Sequence, residues 1–189
     1  SFEGFRMRWS LGVAILVGMS QSVTIVGAGL AGSEAALQLA DRGVRIRLVE
    51  MRPKTPTLVH VTGCCAELVC SNSLKSEKPD SAAGMLKREL AELGSQLYAQ
   101  AKLHAVPAGG ALAVDRTAFA EAVTALVEAH PLIDLVHEEV VDLVQAAEGA
   151  DALVVAAGPL ASDALAASLS RLAGEEHLAF YDAAAPIVM

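Results

Sequence analysis

An α/β fold of Rossmann type is what this sequence predicts, and three observations predict it. A β-branched strand runs into the glycine turn Gly27-Ala28-Gly29-Leu30-Ala31-Gly32; a stretch of helical composition follows and stops at Gly43; a second strand then ends on the acid Glu50. Of the 189 residues, 53% are hydrophobic and only 19% charged, so the chain can bury a core instead of staying disordered.

The amino end combines two features. Leu11 to Gly32 contains no charged residue, but "LGVAILVGM" is too short to cross a bilayer and "SVTIVGAGLAG" reads as a buried strand entering a turn. Arg6 and Arg8 imitate the basic start of a signal peptide, yet no A-x-A-like cleavage site follows. The expectation is no membrane segment, a natural start at Met19, and an upstream or non-native extension over residues 1–18.

The elements then follow in order. Val23–Val26 is a short strand, Leu30–Arg42 a helix, and Val44–Glu50 an alternating second strand, which together make a βαβ unit. Pro79 and Asp80 open a helix whose apolar residues Met85, Leu86, Leu90 and Leu93 recur at helical spacing. "VPAGGALAVDR" is a glycine loop and a strand, and Thr117 is placed to cap a helix that runs through Ala129 and stops before Pro131. "LIDLV" and "VVDLV" are strand candidates, and "ALVVAAGP" is a buried strand that closes on a Gly-Pro turn. No repeat, low-complexity tract or linker interrupts the series.

Charge narrows the function classes. The net charge is -8, and residues 1 to 54 hold seven Lys/Arg against four Asp/Glu, which leaves 18 acids against seven bases in the remainder. A broad basic footprint for nucleic acid is absent, so any RNA contact is small, local or outside this chain.

The glycine turn carries the first chemistry. Gly27 permits the turn out of the strand, Gly29 lets the backbone approach a pyrophosphate, and Gly32 allows the helix to pack closely on the strand, while the helix N-terminus offers free N–H groups to an anion. Glu50 lies at about the distance expected of a ribose-binding acid. These features do not distinguish NAD from FAD.

All three cysteines, Cys64, Cys65 and Cys70, fall within seven residues. Four readings are open: a metal site, a disulfide, buried small residues, or a reactive sulfur beside a cofactor. Their small, odd number points to a reducing compartment.

Six segments, "VTIVGAGLAGSEAALQLADRG", "VEMRP", "AELVCSNSL", "VPAGGALAVDR", "AGPLASDAL" and "FYDAAAPIV", resemble in that order the amino-terminal part of the folate- and FAD-dependent methylenetetrahydrofolate-tRNA (uracil-5-)-methyltransferases, the TrmFO family. The resemblance implies a GidA/TrmFO-type FAD-binding Rossmann-like domain over residues 19–189, incomplete at its C-terminal end. It implies a cytoplasmic enzyme that takes a one-carbon unit from 5,10-methylenetetrahydrofolate, uses NAD(P)H as reductant, and makes 5-methyluridine in the tRNA T-loop. A thiol is wanted because uracil C5 is a poor nucleophile until a thiolate adds at C6. By the same resemblance Cys70 matches the family's cysteine near the flavin, a second cysteine further along the chain attacks the uracil, and Gly27, Ala28, Gly29, Leu30, Ala31, Gly32, Glu50, Arg52, Gly109, Gly110 and Gly158 bind the cofactor. No residue is assigned to a metal. The alternatives are an inactive nucleotide-binding module and a GidA-type tRNA-modifying flavoprotein.

The sequence departs from the family pattern at Gly63 and Cys65, at Thr57-Leu58-Val59-His60, and at Ala157 where the family favours Thr. Cys64 and Cys65 are therefore read as small, partly buried residues; zinc held by His60 and the cysteines, or a Cys65–Cys70 disulfide, are the competing readings. His60 either moves protons or shapes its loop with Thr62. His104, His130, His137 and His177 are read as surface residues, Glu138-Glu139 as a solvated face, and Asp115-Arg116 as an ion pair or a cofactor contact.

Overall fold

A computed structural model of the chain describes residues 21–174. The four-stranded parallel sheet is built from β1 (Ser22–Val26), β2 (Arg45–Glu50), β6 (Ile133–His137) and β7 (Ala152–Val155), in the order β6-β2-β1-β7. Helix α1 (Leu30–Asp41) links β1 to β2, as the βαβ reading requires. Register places Val26 beside Val49 and Val155, and Glu50 beside His137, so the carboxyl ends of the strands come together. A second, antiparallel sheet has the order β3-β5-β4, from β3 (Ser73–Ser76), β4 (Ala105–Val106) and β5 (Ala111–Val114). The remaining helices are α2 (Ala82–Glu92), α3 (Gln96–Leu103), α4 (Arg116–Ala129), the single turn α5 (Leu143–Ala146) and α6 (Asp163–Ala173).

The main core joins the sheet to α1 and α4 through the buried residues Ile25, Leu37, Leu48, Phe119, Val123 and Val127. Each such side chain contributes about 1.5–3 kcal/mol on burial. A smaller cluster, Val26, Val49, Val140, Leu143 and Leu165, lies across the carboxyl ends of β1 and β2. Among the described residues no helix is long and apolar enough to cross a membrane. The expectations for residues 1–18 and for His177 fall outside the described residues.

Four readings change. Asp115, not Thr117, caps α4: its carboxylate accepts from the N–H groups of Thr117 and Ala118, both at 3.1 Å. "VVDLV" is not a strand, because Asp142 turns the backbone by accepting from Val144 and Gln145 and so starts α5. "ALVV" is a strand but not a buried one, since among the described residues β7 is the edge of its sheet and Val155 is 39% exposed. Met85 and Leu86 on α2 and Leu93 just past its end are exposed, while Lys87 is buried and donates to the carbonyls of Ser76 (3.0 Å) and Ala83 (3.3 Å). What turns that face inward is Gly84, where an added Cβ would lie 1.9 Å from the Lys78 carbonyl oxygen.

Candidate functional site

The glycine turn leaves β1 with Gly27 at φ +100°, a left-handed conformation, and with its N–H bonded to the Val49 carbonyl at 2.7 Å. A Cβ at Gly27 would meet the Ala156 carbonyl oxygen at 2.7 Å, and one at Gly32 would meet the Gly27 carbonyl oxygen at 1.8 Å. The protein's own packing thus demands glycine at both. Gly29 is different: a Cβ there meets no protein atom within 4 Å. Leu30 and Ala31 are exposed in the first turn of α1, where N–H groups have no partner inside the helix. Ala28 is fully buried, and its polar groups are used internally: the N–H goes to Glu50 (2.9 Å), and the carbonyl accepts from Ala66 N (2.8 Å) and the Ser33 hydroxyl (3.0 Å).

Glu50 ends β2 at the edge of a cleft of about 70 Å³ that Gly27, Gly29, Arg52, His60 and Glu139 also line. Its second oxygen accepts from the Arg52 N–H (3.1 Å) and Nε (2.8 Å). Burial alone would raise the Glu50 carboxyl, but hydrogen bonds from Arg52 and Ala28, with the Arg52 charge, hold it below its ordinary value. Arg52 is 3% exposed, and its guanidinium points into the protein. Nη1 donates to Glu67 (3.0 Å) and to the Thr62 carbonyl (3.3 Å), and Nη2 to the Cys64 carbonyl (3.2 Å). Its own carbonyl accepts from His137 Nδ1.

Arg52 therefore fastens the 62–67 loop to the ends of β2 and β6. Glu67 completes the clasp by accepting from the N–H groups of Val61 (2.7 Å) and Thr62 (3.1 Å) and from the Thr62 hydroxyl (2.7 Å). Burial would raise the Glu67 carboxyl too, and those donors outweigh it. His60 has its Nδ1 2.6 Å from the Thr57 hydroxyl; burial first and the Arg52 charge second lower its pKa, which favours the neutral ring. Thr62 bonds to Glu67 and not to His60.

The cysteines part company. Cys65 is fully buried in the main core, its N–H donates to the Thr124 hydroxyl (2.8 Å), and burial pushes its thiol up to about 11. Cys64 is half-buried and Cys70 exposed, and all three are free. Among the described residues no group of three or more His, Cys, Asp or Glu is placed to hold a metal ion. Cys70 opens onto a second recess with Ser71, Asn72, Val114, Asp115 and Arg116, at the small sheet. Gly109 and Gly110 lie at the turn into β5, exposed, with the Lys78 side chain over Gly110.

The structure thus gathers Gly27, Gly29, Glu50 and Arg52 at one cleft, with Gly158 (φ +66°) in the turn between two of its lining residues, Ala157 and Leu160. It does not bring Cys70, Gly109 or Gly110 to that cleft. Asp115 and Arg116 are not an ion pair, since Asp115 is spent as the cap. Glu138 and Glu139 are not a free solvated face either: Glu138 pairs with Arg47, Glu139 accepts from Thr55 (3.2 Å), and both line the cleft. His130 lies 3.4 Å from Asp41, and His104, His130 and His137 are all half-buried. The sequence reading missed the clasp: Glu67 stands inside "AELVC" with no spacing that marks it, and His137 declares itself only through strand register with Glu50.

A parallel sheet whose carboxyl ends meet at a glycine turn and a buried acid defines a Rossmann-like α/β protein. The chain belongs to the glucose inhibited division protein A family, whose model matches residues 22–189. Among curated relatives it is 54% identical over 170 residues to the methylenetetrahydrofolate–tRNA-(uracil-5-)-methyltransferase TrmFO of Desulforudis audaxviator, covering 90% of this chain and 38% of that protein. It is 55% identical over 166 residues to the TrmFO of Symbiobacterium thermophilum, covering 88% and 36%. The chain spans little more than a third of the length of these relatives. Among solved structures, the GidA-related protein from Thermus thermophilus aligns over 66% of this chain and 41% of its own, at 22% identity and a TM-score of 0.36.

Proposed function

We propose that the intact protein methylates C5 of a uracil in the tRNA T-loop to 5-methyluridine, in the cytoplasm, taking the carbon from 5,10-methylenetetrahydrofolate with FAD as cofactor. The observation that carries this reading is the identity of 54% over nine-tenths of the chain to proteins bearing that name. NAD(P)H is the reductant in this reading, because a methylene unit becomes a methyl group only on gaining two electrons and a proton.

The residues present fit FAD. The open space at Gly29, where neither neighbouring glycine has any, is what close approach of a pyrophosphate asks for, and the first N–H groups of α1 suit its charge. Glu50, held ionised by Ala28 and Arg52, can still accept from ribose hydroxyls at the cleft. When bound, FAD supplies one-carbon and redox chemistry that no side chain offers. Arg52 and Glu67 act through others: they hold the 62–67 loop in place and so set where the segment leading to Cys70 starts. Cys70 is the functional thiol of the three in this reading. Its exposure leaves the sulfur open to a reactant, whereas a thiol with a pKa of about 11, as at Cys65, is almost wholly protonated near pH 7.

The test is methyl transfer to a tRNA transcript by the purified intact protein, with the Gly29→Val variant in parallel. The wild type is expected to bind FAD and form 5-methyluridine, and the variant to fold but lose the flavin. Folded wild type that takes up no FAD overturns the cofactor assignment. Flavin-bound wild type that transfers no carbon from methylenetetrahydrofolate overturns the methyltransferase reading in favour of a GidA-type flavoprotein.

A further inference from the structure

The chain is acidic, but the small sheet carries a local exception. Lys75 on β3, Lys78 and Arg88 beyond it, and Arg116 after β5 are all exposed, and none forms an ion pair among the described residues. Of the nearby acids, Glu77 is held by Lys102 (2.9 Å) and Tyr98 (3.2 Å) and Asp115 caps α4, while Asp80, Glu89, Glu92 and Glu121 are exposed and form no ion pair with these cations among the described residues. Lys87 is buried beneath the same rim with its ammonium on the Ser76 carbonyl, and burial, with Lys75 as a further cause, lowers its pKa.

The rim is also shaped at a conformational cost. Lys75 has φ +68°, a left-handed conformation that a lysine rarely adopts, at the point where the β3–β5 register shifts between Ser73 and Ser76. Two serines brace this turn, Ser73 accepting from Lys75 N (3.1 Å) and Ser76 from Lys78 N (3.0 Å). Backbone strain held by its surroundings tends to mark a functional segment. At the other end of the same ribbon lies the recess of Cys70, Ser71, Asn72 and Arg116.

We propose that this rim, Lys75, Lys78, Arg88 and Arg116, takes the sugar-phosphate backbone of the RNA substrate and so presents a base to the recess that holds Cys70. The proposal rests on the tRNA reading above and adds the surface to it. Cations outside ion pairs bind phosphates by releasing counterions; Arg88 and Arg116 each spend one N–H on a carbonyl, of Pro79 (2.9 Å) and Leu68 (3.5 Å), and keep the rest of the guanidinium for a phosphate. The Ser71 hydroxyl, which accepts from Ser73 N, can still donate to a base edge, and the Asn72 amide, which donates to the Val114 carbonyl, can still accept from one. A contact surface this small is what a chain of net charge -8 can provide.

The experiment measures binding of a tRNA transcript to the intact protein across a salt series, comparing the wild type, the double variant Lys75→Gln/Lys78→Gln, and Arg45→Gln, an exposed cation on the other sheet with no ion pair among the described residues. Arg116→Gln serves as a second rim variant should the double variant fold poorly. The double variant is expected to bind about tenfold more weakly, with a salt slope flatter by about 0.7 for each phosphate of an unpaired strand that is no longer neutralised. Flavin content and the rate of Cys70 alkylation should stay at wild-type values, and Arg45→Gln should bind as wild type. Wild type that binds tRNA while the rim variants match it in affinity and slope overturns this proposal alone. An equal loss in Arg45→Gln overturns it too, because the effect is then general charge. Wild type that binds no tRNA overturns the tRNA reading and this proposal together.

Discussion

At the carboxyl ends of β1 and β2 the polar side chains are spent inside the protein: Glu50 on Ala28 and Arg52, Arg52 on Glu67 and two carbonyls, Glu67 on Val61 and Thr62. Around Cys70 and the small sheet, Ser71, Lys75, Lys78 and Arg116 are exposed; Ser71 and Arg116 each have one backbone partner, and the Lys75 and Lys78 ammonium groups have none among the described residues. The first region is rigid because burial makes every unpaired group costly. The second bears its charges in water, where they cost little and remain free for a ligand. Stability and chemistry are therefore expected to respond to mutation in opposite ways in the two regions.

The largest effect lies in the first. Gly32→Val forces a Cβ to within 1.8 Å of the Gly27 carbonyl oxygen and should cost more than about 4 kcal/mol, read as loss of the cooperative melt, while Gly29→Val melts near wild type. Equal damage from both would erase the distinction between a glycine kept for packing and one kept for a ligand. Next is Arg52→Ala, which strands the buried Glu50 carboxylate and takes one partner from the half-buried Glu67, and should cost about 3–5 kcal/mol in urea unfolding. Its pH dependence sharpens the point. Because Glu50 and Glu67 titrate below their ordinary value in the folded state, the stability they confer is complete at neutral pH and is lost as pH falls through their lowered pKa values. In Arg52→Ala the acid-sensitive share should shrink, since the charge that lowered Glu50 is gone; an unchanged acid profile would contradict the clasp. Asp115→Ala, at the border of the two regions, should cost only about 1 kcal/mol by removing the α4 cap.

The two regions also differed in how far the sequence disclosed them. β1, α1, β2 and β6 were legible because period-two and helical patterns with a glycine stop are local signals, and the roles given to Gly27 and Gly32 follow from the same turn. The small sheet was not: β3 is four residues with a register shift, β4 is two, and neither length carries a pattern. Cys70, Gly109 and Gly110 came from the resemblance alone. "VVDLV" misled because its apolar residues suit a strand, whereas the Asp142 carboxylate in the middle decides for a helix start. The buried Arg52 was hidden for a different reason. Its partners are 10 to 15 residues away in a loop, and only the folded chain shows that a residue assigned to the cofactor is turned inward to hold that loop.

In the proposed enzyme the exposed Cys70 thiol and the glycine cleft serve one reaction. Cys70→Ala in the intact protein separates the two, with 5-methyluridine in a tRNA transcript, flavin content and melting measured on the same sample. The expected result is stability within about 0.5 kcal/mol of wild type, as for an exposed side chain, flavin retained, and methyl transfer severely reduced, while Cys64→Ala keeps most of it. Methyl transfer at the wild-type rate by flavin-bound Cys70→Ala would contradict it.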